Sequence, residues 1–165
     1  LYARFFHSLY GTPVVTARIF MVYGPGQVDH TKVVPYSILA ALRGEAPRLT
    51  SGTRPVDWIY VDDVVAGLLA AAEVAGIEGE TFDIGSGELV TVRQIVEKIC
   101  HALAAPPPEI GAFADRPLEF VRRANVGKSF SRLAWRPAIG LEEGLHRTIV
   151  GLRGELASGA YSRPS

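Results

Sequence analysis

The 165-residue chain has one cysteine, one methionine, no excess of either charge and no long apolar run. A lone Cys100 excludes an internal disulfide framework and any cysteine-based zinc cluster. Seventeen Lys plus Arg balance seventeen Asp plus Glu. That leaves no basic excess for phosphate backbones to select, and no nucleic acid is expected as a partner. Nor is there a polybasic case for a membrane surface. The longest apolar runs, such as residues 64–72, fall short of the ~20 residues that cross a bilayer. No charged-then-apolar leader is legible, so a soluble, cytoplasmic protein with no membrane partner is expected. The histidines, at 7, 30, 101 and 146, form no H-x-x-x-H pair, and no metal site is expected. Neither G-x-S-x-G nor G-x-x-x-x-G-K-[S/T] occurs.

What is present reads as one α/β domain. Leu1, Phe5 and Leu9, with Tyr2, Phe6 and Tyr10, recur at i, i+4, i+8 and predict an amphipathic helix ending near Gly11. No Ser, Thr, Asp or Asn precedes it as a cap, so the chain is expected to be a fragment. Residues 14–20 form a nearly continuous β-branched run, as in a strand covered on both faces. A Gly/Pro loop at 23–27 and a helix over 32–43 follow, with Pro35 in its first turn and Gly44 ending it. Short strands are predicted at 48–50 and 58–61, and a helix over 64–75 capped by Asp62 or Asp63. A strand at 81–84 closes on Gly85-Ser86-Gly87, and Thr91 with Gln94 fits a capping box for a helix to about Leu103. Three prolines at 106–108 make a rigid connector. A strand at 118–121, a short helix capped by Asn125, and an amphipathic helix over 141–156 with a frayed tail complete the chain.

Taken alone, the residues support limited chemistry. Gly85-Ser86-Gly87 begins like a dinucleotide fingerprint, but position 90 is Val, so a tight strand-to-helix turn is the preferred reading. Asp57, Asp62 and Asp63 read as turn and cap acceptors before paired catalytic acids. Trp58, Trp135, Phe20 and Tyr60 read as core. Arg48, Arg54 and Arg116 lie in Gly- and Pro-flanked loops, where guanidinium groups suit bidentate phosphate recognition. Each reads first as solvated or carboxylate-paired. Lys32 stands at a predicted helix N-terminus, where an anion is favoured, with a plain surface lysine as the alternative.

Several stretches together resemble one family. Residues 17–27, ARIFMVYGPGQ, are similar to the R-x-F-N-V-Y-G-P segment of the extended short-chain dehydrogenase/reductases, the NAD(P)-dependent sugar-nucleotide epimerases and dehydratases. Residues 56–64, VDWIYVDDV, resemble that family's R-D-[FW]-I-[YH]-V-x-D. Residues 82–87 with Thr91-Val92 resemble Y-N-I-G-[SG]-G…[ST]-V, Arg116-Pro117-Leu118-Glu119 resembles R-P-x-E, and residues 133–137 resemble L-G-W-x-P. The ordered match runs over about residues 1–150.

The resemblance implies the C-terminal part of a Rossmann-type fold. Residues 1–27 and about 80–104 are expected in the Rossmann part, the remainder of 1–150 mainly in a smaller substrate-binding domain, and 151–165 as helix end and tail. The family's glycine-rich loop and Y-x-x-x-K pair are absent from this sequence, so no catalytic residue is expected in this chain. Tyr/Lys acid–base catalysis would come from an N-terminal half that also holds most of the NAD or NADP. This chain alone is expected to be inactive and to expose apolar surface and strand edges.

The resemblance assigns Ile19 and Phe20 to the cofactor, and Met21, Lys32, Val33, Arg48, Leu49, Arg54 and Arg116 to a nucleotide-diphosphate sugar. Met21 stands at the family's Asn position and Val56 at its phosphate-binding Arg; Arg54, two residues earlier on the same strand face, is the expected replacement. Asn125 stands where the family often has Asp. A homodimeric parent is implied. The alternatives are a non-catalytic nucleotide-binding module and a reductase of a non-sugar carbonyl compound.

Overall fold

The computed structural model describes residues 2–115 and 120–158. Its first element is helix α1 (Tyr2–Tyr10), followed by strands β1 (Thr16–Ile19) and β2 (Met21–Tyr23) and helix α2 (Val33–Leu42). Strand β3 (Pro55–Tyr60) runs into helix α3 (Val61–Glu73), and strands β4 (Thr81–Ile84) and β5 (Leu89–Thr91) lead into helix α4 (Val92–Ala102). Helices α5 (Val126–Leu133) and α6 (Leu141–Ala157) complete it. Among the described residues no helix is long and apolar enough to cross a membrane.

The run expected as a strand over 14–20 holds β1, which is half-buried to exposed and so not covered on both faces, and a second strand, β2, begins directly after it in another sheet. β1 pairs in parallel with β4, Ile19 opposite Ile84, and β2 pairs in parallel with β3, Met21 opposite Trp58. Phe20 donates its amide to the Ile84 carbonyl, the last bond of the first ladder, and the chain then crosses to the second. β5, which the periodicity did not suggest, pairs antiparallel with β3. The expected strand at 48–50 is a single bridge of Arg48 to Glu109. Part of the expected 118–121 strand lies outside the described residues, and Phe120 and Val121 are not in a strand.

β3 is the wall between two cores. Val56, Trp58 and Tyr60 face one core and Ile59 the other, the two-residue alternation of a strand. Both faces are covered, which is why five consecutive residues from Val56 to Tyr60 are buried. The first core joins β3 to α2, α4 and α6 through Ile38, Ile95, Ile99, Leu145 and Leu152. The second joins β4, α3 and α5 through Val64, Phe82, Ile84, Leu133 and Trp135. α4 thus shares its core with α2 and α6, not with β1 and β4. The stretch 80–104 is therefore divided between two cores. Ile95 and Ile99 are fully buried, worth roughly 1.5–3 kcal/mol each.

Local signals explain the helix ends. Thr91 and Gln94 form the expected capping box: the Thr91 hydroxyl accepts from the Gln94 amide, and the Gln94 side chain accepts from the Thr91 amide. The cap expected from Asp62 or Asp63 is not formed, because α3 starts earlier, after Tyr60. Asp63 instead accepts the amides of Ala138 and Ile139 at 2.7 and 3.1 Å. Asn125 precedes α5 but makes no side-chain cap. At the end of α5, Ala134 adopts the left-handed conformation (φ 50°). That is the glycine position of the family's L-G-W segment.

Two helices keep apolar faces in solvent. α1 has no buried residue, and Tyr2, Phe5, Leu9 and Tyr10 are each more than half exposed. Val65, Leu68 and Leu69 form a similar stripe on α3. Among the described residues β1 has a strand neighbour on one edge only.

Candidate functional site

The site is built around the strand switch at Phe20. A cleft of about 760 Å³ opens there, and Arg18, Ile19, Phe20, Met21, Arg54 and Val56 line one side of it. Phe120, Val121, Arg122 and Arg123 line the other, with Asp57 and Asp83 between. Ile19 and Met21 are 46% and 40% exposed, so both present apolar atoms to the cleft.

Two buried carboxylates hold the walls together. Asp57 is 1% exposed. Its Oδ1 accepts the Ser86 amide at 2.7 Å and the Ser86 hydroxyl at 2.8 Å, and its Oδ2 accepts the amides of Gly87 at 3.0 Å and Ala124 at 2.9 Å. A Cβ at Gly85 would collide with Ala124 and touch the Asp57 carboxylate, so this close approach requires glycine there, while Gly87 is favoured by its φ of +79°. The Gly85-Ser86-Gly87 turn is thus the tight turn expected: its amides face an internal carboxylate. Asp83, also buried, takes Nε and Nη2 of Arg18 at 2.6 Å on Oδ1 and the Asn125 amide at 2.9 Å on Oδ2. Arg123 donates Nε to the Gly87 carbonyl at 2.6 Å. The segment before α5 is therefore clamped to the sheet ends by Asp57 and Asp83.

The predicted site residues separate into groups. Ile19, Phe20, Met21 and Arg54 come together in the cleft. Lys32 and Val33 do not line it. Lys32 is the residue before α2 and pairs with Asp29 at 3.4 Å. The Thr31 hydroxyl and amide, then Lys32, hold the Asp29 carboxyl below its ordinary range. Val33 is half-buried against the core. Arg48 pairs with Glu109 at 3.3 Å and lies over the Phe113 ring at 5.0 Å. The Leu49 side chain is in a small core with Val96 and Cys100. Arg116 lies outside the described residues; its neighbour Asp115 accepts the amide and hydroxyl of Ser51 at 3.1 and 3.0 Å.

Sequence reasoning missed Arg18, Phe120, Val121, Arg122 and Arg123 as lining residues. An apolar pair followed by two arginines was the available signal, but only the fold carries it to Met21. A second, smaller cavity of about 290 Å³ lies between β3 and the 137–141 loop, with Tyr23, Trp58, Tyr60 and Asp63 in its wall. Burial, reinforced by the Asp63 carboxylate, pushes the Tyr23 phenol above its ordinary range, so its hydroxyl stays protonated and donates to the Leu141 carbonyl at 3.3 Å.

Known proteins are similar to this chain in sequence and in fold. The sequence model of the NAD dependent epimerase/dehydratase family matches residues 1–85. A dTDP-glucose 4,6-dehydratase of Xanthomonas campestris pv. campestris is 31% identical over 160 residues, covering 88% of this chain and 44% of that protein. A dTDP-L-rhamnose 4-epimerase of Burkholderia thailandensis is 30% identical over 150 residues, covering 88% and 41%. The structure of a UDP-glucose 4-epimerase from Thermotoga maritima with UDP-glucose superposes with a TM-score of 0.85 at 31% identity, over 94% of this chain and 50% of that one. That of Bordetella bronchiseptica WbmF in complex with NADH gives 0.82 at 27% identity, over 95% and 50%. The chain spans about half the length of the curated relatives it matches. The motif order, the α/β architecture with its parallel β1–β4 pair and these matches agree: the chain belongs to the NAD-dependent epimerase/dehydratase family.

Proposed function

We propose that this chain is the nucleotide-sugar-binding half of an NAD(P)-dependent sugar-nucleotide epimerase, dehydratase or reductase, cytoplasmic and homodimeric in its parent form. The observation that carries the reading is the single cleft lined by Ile19, Phe20, Met21 and Arg54. Residues 1–27 and β4 belong to the cofactor part in this reading, and most of the remainder to the substrate part. The exposed faces of α1 and α3 and the open edge of β1 support a partner half seated there.

The cofactor fits in part. Ile19 and Phe20, at the carboxyl end of a parallel strand, offer the apolar surface that a flat ring packs on. The pyrophosphate is not held by this chain's glycine turn, because the Ser86 and Gly87 amides are engaged by Asp57. When bound, the nicotinamide supplies the reversible redox step at a sugar carbon. This chain's residues bind and orient: Arg54, with Arg116, neutralises the diphosphate, and Ile19 and Met21 exclude water beside the reacting carbon. The proton-transfer Tyr/Lys pair comes from the other half.

The test is a calorimetric titration of UDP-glucose and dTDP-glucose into the chain and its Arg54→Ala and Arg116→Ala variants. Each variant is expected to weaken binding about tenfold, the loss of one charge-assisted contact. Unchanged affinity in both variants would remove the diphosphate assignment. Reading the coding DNA directly upstream of Leu1 for an in-frame Y-x-x-x-K tests the second half of the proposal.

A further inference from the structure

The composition of the cleft wall narrows the ligand beyond the class just proposed, on which this inference rests. Among the described residues the lining contains four arginines, two aspartates and seven apolar residues, and no Ser, Thr, Asn, Gln, Tyr or His side chain. The aspartates are already engaged. Asp57 takes four hydrogen bonds from Ser86, Gly87 and Ala124, and Asp83 takes Arg18 and the Asn125 amide. Arg18 is turned to Asp83, and the Nε of Arg123 to the Gly87 carbonyl. Among the described residues the side chains of this wall therefore divide into cations and hydrocarbon, with no unengaged carboxylate among them.

A sugar ring bearing its full set of hydroxyls needs both donors and acceptors around it. Leaving a hydroxyl against Met21, Phe120 or Val121 desolvates it without a partner. A methyl group in the same place buries apolar area instead. Ile19, Met21, Phe120 and Val121 are between 40% and 77% exposed, so this hydrocarbon is available for contact.

From this division of the wall we infer that the cleft selects a nucleoside-diphosphate deoxysugar: the diphosphate lies on the arginines, and a deoxygenated carbon faces Met21 and Phe120. The preference is moderate, because an apolar surface rejects an added hydroxyl far less strongly than a polar site rejects a missing one.

The experiment compares dTDP, dTDP-glucose and dTDP-6-deoxyglucose by calorimetry on the chain and its Met21→Asn variant. Met21 is an exposed strand residue, and the variant's thermal melt is recorded beside the parent's to confirm folding. The exposed Phe120→Ser is a second variant for the same test. The deoxysugar is expected to bind about three- to tenfold more tightly than the hexose in the parent. The ratio is expected to fall to one or below in each variant. If dTDP binds but the hexose equals or exceeds the deoxysugar in the parent, the deoxysugar inference is overturned and the nucleotide-sugar reading stands. A parent preference that survives in both variants removes Met21 and Phe120 as its source and overturns the assignment. No binding of any of the three ligands overturns the underlying reading and this inference together.

Discussion

Replacing Asp57 separates a carboxylate that organises the site from one that merely sits in it. Its four hydrogen bonds come from three backbone amides and one hydroxyl, all within 3.0 Å. In Asp57→Ala the amides of Gly87 and Ala124 are left buried without a partner. At about 1–1.5 kcal/mol for each of four lost bonds, the variant loses about 4–6 kcal/mol. That is a large share of the roughly 5–15 kcal/mol of a whole domain. Asp57→Asn loses less. Its amide group can sit at the Oδ1 position, where the Ser86 hydroxyl can turn to accept, and its oxygen keeps Gly87 and Ala124. Only the Ser86 amide then faces a donor, for about 2–3 kcal/mol. Urea denaturation followed by fluorescence reads both variants, given the buried Trp58 and Trp135. An Ala variant within about 1 kcal/mol of the parent would falsify the argument that one carboxylate ties the turn to the segment before α5.

Three further outcomes are expected. Ala134→Gly relieves a left-handed residue (φ 50°) and should stabilise the chain by about 0.5–1 kcal/mol, read as a raised melting temperature; an unchanged or lowered one counts against strain at this cap. Glu80 is held below its ordinary range, first by its hydrogen bond to Lys128 and then by Arg132. A depressed carboxyl contributes stability in full above the usual glutamate value of 4.5 and loses it as pH falls through the lower, folded-state value. The advantage of the parent over Glu80→Gln should therefore be present at neutral pH and vanish on acidification below 4.5. A pH-independent difference in melting temperature between the two chains would contradict this. Arg54→Ala, on the cleft wall, should weaken UDP-glucose binding about tenfold and leave uridine binding unchanged; equal losses for the two ligands would take the residue away from the diphosphate.

Local signals were legible where they act over a few residues. The Thr91–Gln94 box, Pro35 in the first turn of α2 and the apolar repeat of α1 each specify a helix without help from the rest of the chain. What the periodicity could not convey was the sheet change at Phe20. The run ends at Phe20, and nothing in its pattern marks Met21, Val22 and Tyr23 as a second strand in another sheet. The cap expected from Asp62 or Asp63 failed because the amides that donate to the Asp63 carboxylate are those of Ala138 and Ile139, far along the chain. For the site, the resemblance brought Ile19, Phe20, Met21 and Arg54 into view, and the fold gathers them in one cleft. Leu49 was assigned to the nucleotide sugar by the same resemblance, and its side chain is held in a core with Val96 and Cys100. The opposite wall, from Phe120 to Arg123, carries no periodic pattern and becomes visible only when Asp57 and Asp83 pull it onto the sheet ends.

The one-residue crossing at Phe20 has an evolutionary corollary. Ile19 is fixed by Ile84 and Met21 by Trp58, each in a different ladder. The two residues assigned to cofactor and substrate are thus separated by a covalent ruler of about 6.6 Å, two steps of an extended chain. Loops elsewhere can lengthen or shorten as substrates diversify, but an insertion or deletion here would break one register or the other. New specificities in this lineage should therefore arise by changing side chains around the crossing, never by changing its length.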